Sequence, residues 1–172
     1  PGHAAFSKMR SRGANVADIA ILVVAHDDGV ALQTKEALQI INDAGITFIV
    51  VGTKSDIAGV SSEKLQSDLE KEGVLFEGRG GETPFVSVSA KTGDGLNHLL
   101  EVIKLVAEVS GIKADSEGNL EAVVIESLLD KAGPAATIIV RNGKIEVGDI
   151  VFAEKVEGKV RALFDAEGKT VK

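Results

Sequence analysis

Three apolar runs, each closing in a short polar segment and each followed by a stretch of helical periodicity, constrain this chain more than any other feature. "ADIAILVVA" (17–25) leads into "HDDG", "GITFIVVG" (45–52) into "TKSD", and "PFVSVSA" (84–90) into "KTGDG". The runs are continuous and rich in Val and Ile rather than alternating, as in parallel strands covered on both faces. The run 17–25 carries its only charge at Asp18, so it reads as a central strand with a neighbour on each side. Between the runs, "ALQTKEALQIINDA" (31–44) sets Leu32, Leu38 and Ile41 at helical spacing, with Gly45 where a C-cap glycine belongs. "SSEKLQSDLEKEG" (61–73) begins on serine and ends at Gly73, and "LNHLLEVIKLVAEVSG" (96–111) is amphipathic up to Gly111. Strand and helix alternate three times, which predicts an α/β fold with a doubly wound parallel sheet.

After Gly111 the texture changes. Residues 113–119, "KADSEGN", read as a linker between a unit at 1–112 and a unit at 120–172. The second unit is rich in Val and Ile with turn signals, the opening of an all-β barrel domain. Within it, "RNGK" (141–144) places Asn-Gly between two apolar segments, the strongest short hairpin signal.

Composition narrows the function classes. No run of eighteen apolar residues exists, and the N-terminus lacks the order of a signal peptide. The absence of cysteine excludes disulfides and thiolate metal sites and fits a cytoplasmic location. All aromatic residues are phenylalanine, 3% of the chain, too few for stacking single-stranded nucleic acid. A net charge of −7 argues against non-specific nucleic-acid binding, DNA included, and Lys8, Arg10 and Arg12 read as a solvated helix face, with a local patch meeting RNA as the alternative.

Chemistry is expected at the carboxyl ends of the strands. "TKSD" after the second strand offers Asp56, whose carboxylate can accept from the N1–H and the exocyclic amine of guanine, a donor pair that adenine lacks. Lys54 can lay its apolar stem along the plane of a base. "SAK" (89–91) after the third strand offers the backbone N–H of Ala90 or Lys91 to guanine O6. Each motif alone is a weak signal; their order and strand-end placement make the pair a guanine site. "HDDG" sets His26, Asp27 and Asp28 side by side, but three consecutive residues converge poorly on one ion, so the stretch reads as a turn before a helix. His98 reads as a solvated residue on its helix.

With these motifs in view the chain resembles the translational GTPases, in which Asp-x-Pro-Gly-His approaches the γ-phosphate. "PGHAAFSKMRSRGANVADIAILVVAHDDGVALQT" is similar in particular to bacterial translation initiation factor 2, through the Met-Arg-x-Arg-Gly-Ala continuation at 9–14. The resemblance covers essentially the whole chain. It implies a partial P-loop-GTPase-like sheet, GTP and GDP as ligands, and GTP contacts by Pro1, Gly2, His3, Thr53, Lys54, Asp56, Ser89, Ala90 and Lys91. Further, it implies that His3 positions the attacking water as catalytic residue, that residues 1–14 form the second switch, and that the partners are the ribosome and initiator tRNA.

Two departures stand beside it. Thr53 occupies a position where the family usually has Asn, so guanine binding is expected to be altered but tolerated. The phosphate loop, and the Asp that supports Mg²⁺, are expected before Pro1. "EGKT" (167–170) imitates the end of Gly-x-x-x-x-Gly-Lys-Thr, but Leu163 stands where the first glycine is required, so the stretch is read as a hairpin turn. The alternative is a non-hydrolysing GTPase-derived module that binds protein or RNA.

Overall fold

The computed structural model describes residues 16–130, 133–153 and 156–171. Pro1, Gly2 and His3, the proposed switch 1–14, and the basic residues Lys8, Arg10 and Arg12 therefore lie outside the described residues. The chain divides into two units, Pro1–Ile112 and Lys113–Lys172.

In the first unit the three apolar runs become β1 (Ile19–Ala25), β2 (Thr47–Thr53) and β3 (Phe85–Ser87), parallel and in the order β1-β2-β3. Ile19 lies opposite Thr47 and Ala25 opposite Thr53, while Val50 faces Phe85 and Gly52 faces Ser87. Helices α1 (Leu32–Ala44), α2 (Ser62–Glu70) and α3 (Leu96–Val109) follow the three strands in turn. Period-2 alternation sends Leu22, Val24 and Val50 to one face, where they pack with Leu38 and Ile41 of α1, Leu65 and Leu69 of α2, and Phe76. Ile49, Val51, Val86 and Val88 line the other face against Leu99, Val102, Ile103 and Val106 of α3. Helices on both faces make this the α/β sheet that the continuous runs predict. The reading of 17–25 as a central strand is corrected: among the described residues β1 has only β2 beside it, and its Ile21 and Val23 are exposed. Leu69 and Phe76 are fully buried, each contributing about 1.5–3 kcal/mol of transfer free energy.

The local signals hold as well. Gly45 takes a left-handed φ of 63° and its N–H returns to Asn42 O, closing α1. Ser61 caps α2 by accepting from Lys64 N at 3.2 Å. β3 is shorter than its apolar run. Val88 N still reaches Gly52 O at 2.8 Å, but Ser89 N turns away to Asp94 O at 2.9 Å and ends the ladder.

Among its described residues the second unit forms three antiparallel pairs: β4 (Glu121–Asp130) with β5 (Gly133–Asn142), β6 (Ile150–Ala153) with β7 (Val156–Lys159), and β8 (Leu163–Phe164) with β9 (Thr170–Val171). The expected hairpin at 141–144 is not formed. The Asn-Gly of "RNGK" joins no paired strands; it ends β5, and the long hairpin closes instead between Asp130 and Gly133. Asn142 spends its side chain on other segments, accepting from Asp115 N at 2.8 Å and donating to Asn119 O at 3.2 Å. "EGKT" does belong to a hairpin turn. Asp165 Oδ1 accepts from the N–H groups of Glu167 and Lys169, both at 2.9 Å, between β8 and β9. No helix among the described residues is long and apolar enough to cross a membrane.

Candidate functional site

Because β2 and β3 are adjacent and parallel, their carboxyl ends bring "TKSD" and "SAK" together. Ser55 N donates to Val88 O at 3.2 Å, tying the two loops backbone to backbone. The Ser89 hydroxyl, buried completely, donates to Asp56 Oδ1 at 2.6 Å. That bond is the main reason that the Asp56 carboxyl is held below its usual value; burial opposes it, while Asp56's own N–H and the Lys91 ammonium assist. Lys91 Nζ stands 3.9 Å from Asp56 Oδ2 on a largely exposed side chain. Asp56 is thus an ionised carboxylate at working pH, anchored through one oxygen.

The loop that presents Ser89 is itself fixed. Gly93 N donates to Ser89 O at 2.9 Å, and Thr92 N reaches Ser89 Oγ at 3.2 Å. Gly95 then starts α3 at φ 76°, so close to β3 that an added Cβ would meet the Ser87 carbonyl oxygen. Among the described residues the N–H groups of Ala90 and Lys91 have no protein acceptor, as donors to an incoming carbonyl would require.

Lys54 has a φ of 62°, the only positive value among the described non-glycine residues. Its ammonium reaches Asp27 Oδ2 at 2.6 Å and Asp28 Oδ2 at 3.6 Å. "HDDG" is a turn, as read, yet its side chains are engaged with this site. His26 donates twice to the Thr53 carbonyl, from its backbone N at 3.0 Å and its ring Nδ1 at 2.7 Å. A carbonyl only accepts, so Nδ1 carries the proton and Nε2 is left to accept in the neutral ring. Nε2 lies 3.2 Å from both Ser62 Oγ and Ser87 Oγ, which are 2.8 Å from each other.

The sequence reading missed His26, Ser62 and Ser87 as a cluster. A signal was present in Gly52, a glycine inside an apolar strand, which marks a close approach. A Cβ there would sit 2.5 Å from His26 Cε1 and 2.9 Å from Phe85 Cζ. His98 is exposed beside Glu101, in line with its reading. Among the described residues no three His, Asp or Glu side chains are placed to hold a metal ion.

The family described as Elongation factor Tu GTP binding domain matches residues 1–109, and Elongation factor G domain 2 matches 119–172. Translation elongation factor SelB from Methanococcus maripaludis, in complex with the GTP analogue GPPNHP, is 25% identical over 99% of this chain, with a TM-score of 0.73. A bacterial selenocysteine-specific elongation factor, EF-Sec, is 31% identical over 100% of this chain, at 0.72. GDP-bound aIF5B from Aeropyrum pernix is 26% identical over 86% of this chain, at 0.65. The chain spans 38%, 30% and 31% of those three proteins respectively.

Proposed function

Since the chain belongs to the translational GTPase family, we propose that residues 53–56 and 89–91 form the guanine site of a factor of the bacterial initiation factor 2 kind. The observation that carries the guanine reading is the Asp56–Ser89 bond, which fixes an ionised carboxylate at the carboxyl ends of two adjacent parallel strands. Asp56 accepts from N1–H and the exocyclic amine of the base, Ala90 or Lys91 N–H donates to O6, and the Lys54 stem covers the ring. Met9 to Ala14, reading Met-Arg-Ser-Arg-Gly-Ala, support initiation rather than elongation. In that role the intact cytoplasmic factor promotes initiator tRNA binding to the ribosome and hydrolyses GTP, with His3 positioning the water. The elongation-factor reading is favoured by the identity to EF-Sec. Stimulated binding of initiator tRNA to ribosomes by a factor containing this chain supports the first; stimulation of elongator tRNA alone supports the second.

Two expected results test the site. The 172 residues hold no Gly-x-x-x-x-Gly-Lys-Ser/Thr, so GTP, GDP and guanosine should bind this polypeptide about equally. The base and ribose, about twenty heavy atoms at roughly −0.3 kcal/mol each, limit the Kd to tens of micromolar or weaker. Calorimetric titration checks this, and guanosine binding no better than adenosine would remove the reading. The polypeptide should also release no phosphate from GTP, because stabilising the transferring group is most of that chemistry. Turnover by this chain, assayed as inorganic phosphate, would show a phosphate site elsewhere in it.

A further inference from the structure

The turn after β1 is not used by any of the steps above, yet two of its consecutive residues grip two consecutive residues of the base loop. His26 holds the Thr53 carbonyl from two donors, and Asp27 holds the Lys54 ammonium at 2.6 Å. We infer that Asp27 is a positioning residue for the base site: it pins the head of Lys54 so that the aliphatic stem stands as a fixed wall against the purine ring. This rests on the guanine reading of residues 53–56 and adds to it a residue outside both motifs.

Three observations carry the inference. A lysine stem is flexible, and a free ammonium would sweep it across the mouth of the site at a cost in ordering when a base arrives. Here the left-handed backbone of Lys54 fixes where the stem starts, and Asp27 fixes where it ends. Asp27 itself is fixed, because its neighbour His26 is bound at Thr53 O, Ser62 Oγ and Ser87 Oγ, on β2, α2 and β3. The turn therefore cannot drift without dragging the base loop with it. Asp28, at 3.6 Å and 72% exposed, adds field but little constraint.

The stem stacks on any purine, whereas Asp56 reads the guanine edge, so the two residues have separable signatures. The test is NMR titration of guanosine, inosine and adenosine into the full 172-residue chain, as wild type, Asp27→Asn, Asp27→Glu and Asp56→Asn. Inosine keeps N1–H and O6 but lacks the exocyclic amine, so the guanosine-to-inosine ratio reports on Asp56 alone. For an exposed ion pair, Asp27→Asn should weaken guanosine and inosine alike by about three- to fivefold and leave their ratio unchanged. Asp27→Glu should restore part of the loss, and raising the salt to about 1 M should erase the gap between wild type and Asp27→Asn. Wild-type affinity in Asp27→Asn at low salt overturns the proposal. A changed ratio overturns it too, as does a loss that neither glutamate nor salt affects, since those would mark a general loosening of the fold. If wild type fails to prefer guanosine over adenosine, the base-site reading falls and this proposal falls with it. If that preference stands while Asp27→Asn has no effect, only this proposal falls.

Discussion

Asp56→Asn should cost the chain its choice of guanine, lowering guanosine affinity by roughly ten- to hundredfold. The carboxylate offers two acceptors to two donors on the base; the amide offers one acceptor and one donor, and the donor meets the exocyclic amine head on. The same substitution should improve xanthosine, which presents a carbonyl where guanosine presents that amine. Ser89 remains able to donate to the amide oxygen, so the loop should keep its place and the loss should lie in recognition rather than in folding. Titrating wild type and variant with guanosine and xanthosine checks both halves, and a variant that kept wild-type selectivity would remove Asp56 from the site.

The sign of the pH dependence follows from the same bond. Ser89 holds the Asp56 carboxyl below its ordinary value in the folded chain. The charged form is therefore favoured by folding. Its contribution is present above the unfolded value and disappears as pH falls through the lowered folded one. Guanosine selectivity should accordingly persist through the usual carboxylate range and fail only below it, and Asp56→Asn should lack that acid limb.

Gly95→Ala should damage the first unit severely, removing about 2–5 kcal/mol of stability. An alanine at φ 76° costs about 1–2 kcal/mol by itself. The new Cβ would also meet the Ser87 carbonyl oxygen, with Ser87 C at 3.1 Å and Val88 Cα at 3.2 Å behind it. These are backbone atoms of a paired strand and cannot rotate aside, so a further 1–3 kcal/mol of overpacking is expected, at roughly 4–8 °C of Tm per kcal/mol. Gly59→Ala is the control, since Gly59 has a φ of 83° but open space around it. It should show the backbone cost alone, about 1–2 kcal/mol. Thermal unfolding by circular dichroism compares the two, and equal shifts would mean that α3 slides away from β3.

The sheet was legible because burial on two faces writes itself as continuous apolar runs, and the polar segments that end those runs are where ligands meet such sheets. Gly45 and Ser61 were legible because caps act within a few residues. His26 was not, for its partners lie 27, 36 and 61 residues away and nothing local in "HDDG" names them. Asn142 failed for a related reason. Asn-Gly is a sound local turn signal, but its side chain was claimed by Asp115 and Asn119, 27 and 23 residues upstream.

The Asp56–Ser89 bond spans 33 residues and a complete helical crossover. During synthesis at about 5–20 residues per second, Asp56 is made about 2–7 s before its partner exists. Throughout that interval β2 has only β1 beside it, and the carboxylate has no hydroxyl to hold it. On the proposed guanine site, a nascent chain is consequently blind to the base until Ser89 has arrived and β3 has docked. On that proposal, ligand capture comes no earlier than the docking of β3, so a nucleotide in the surrounding medium can trap the paired strands but cannot template them.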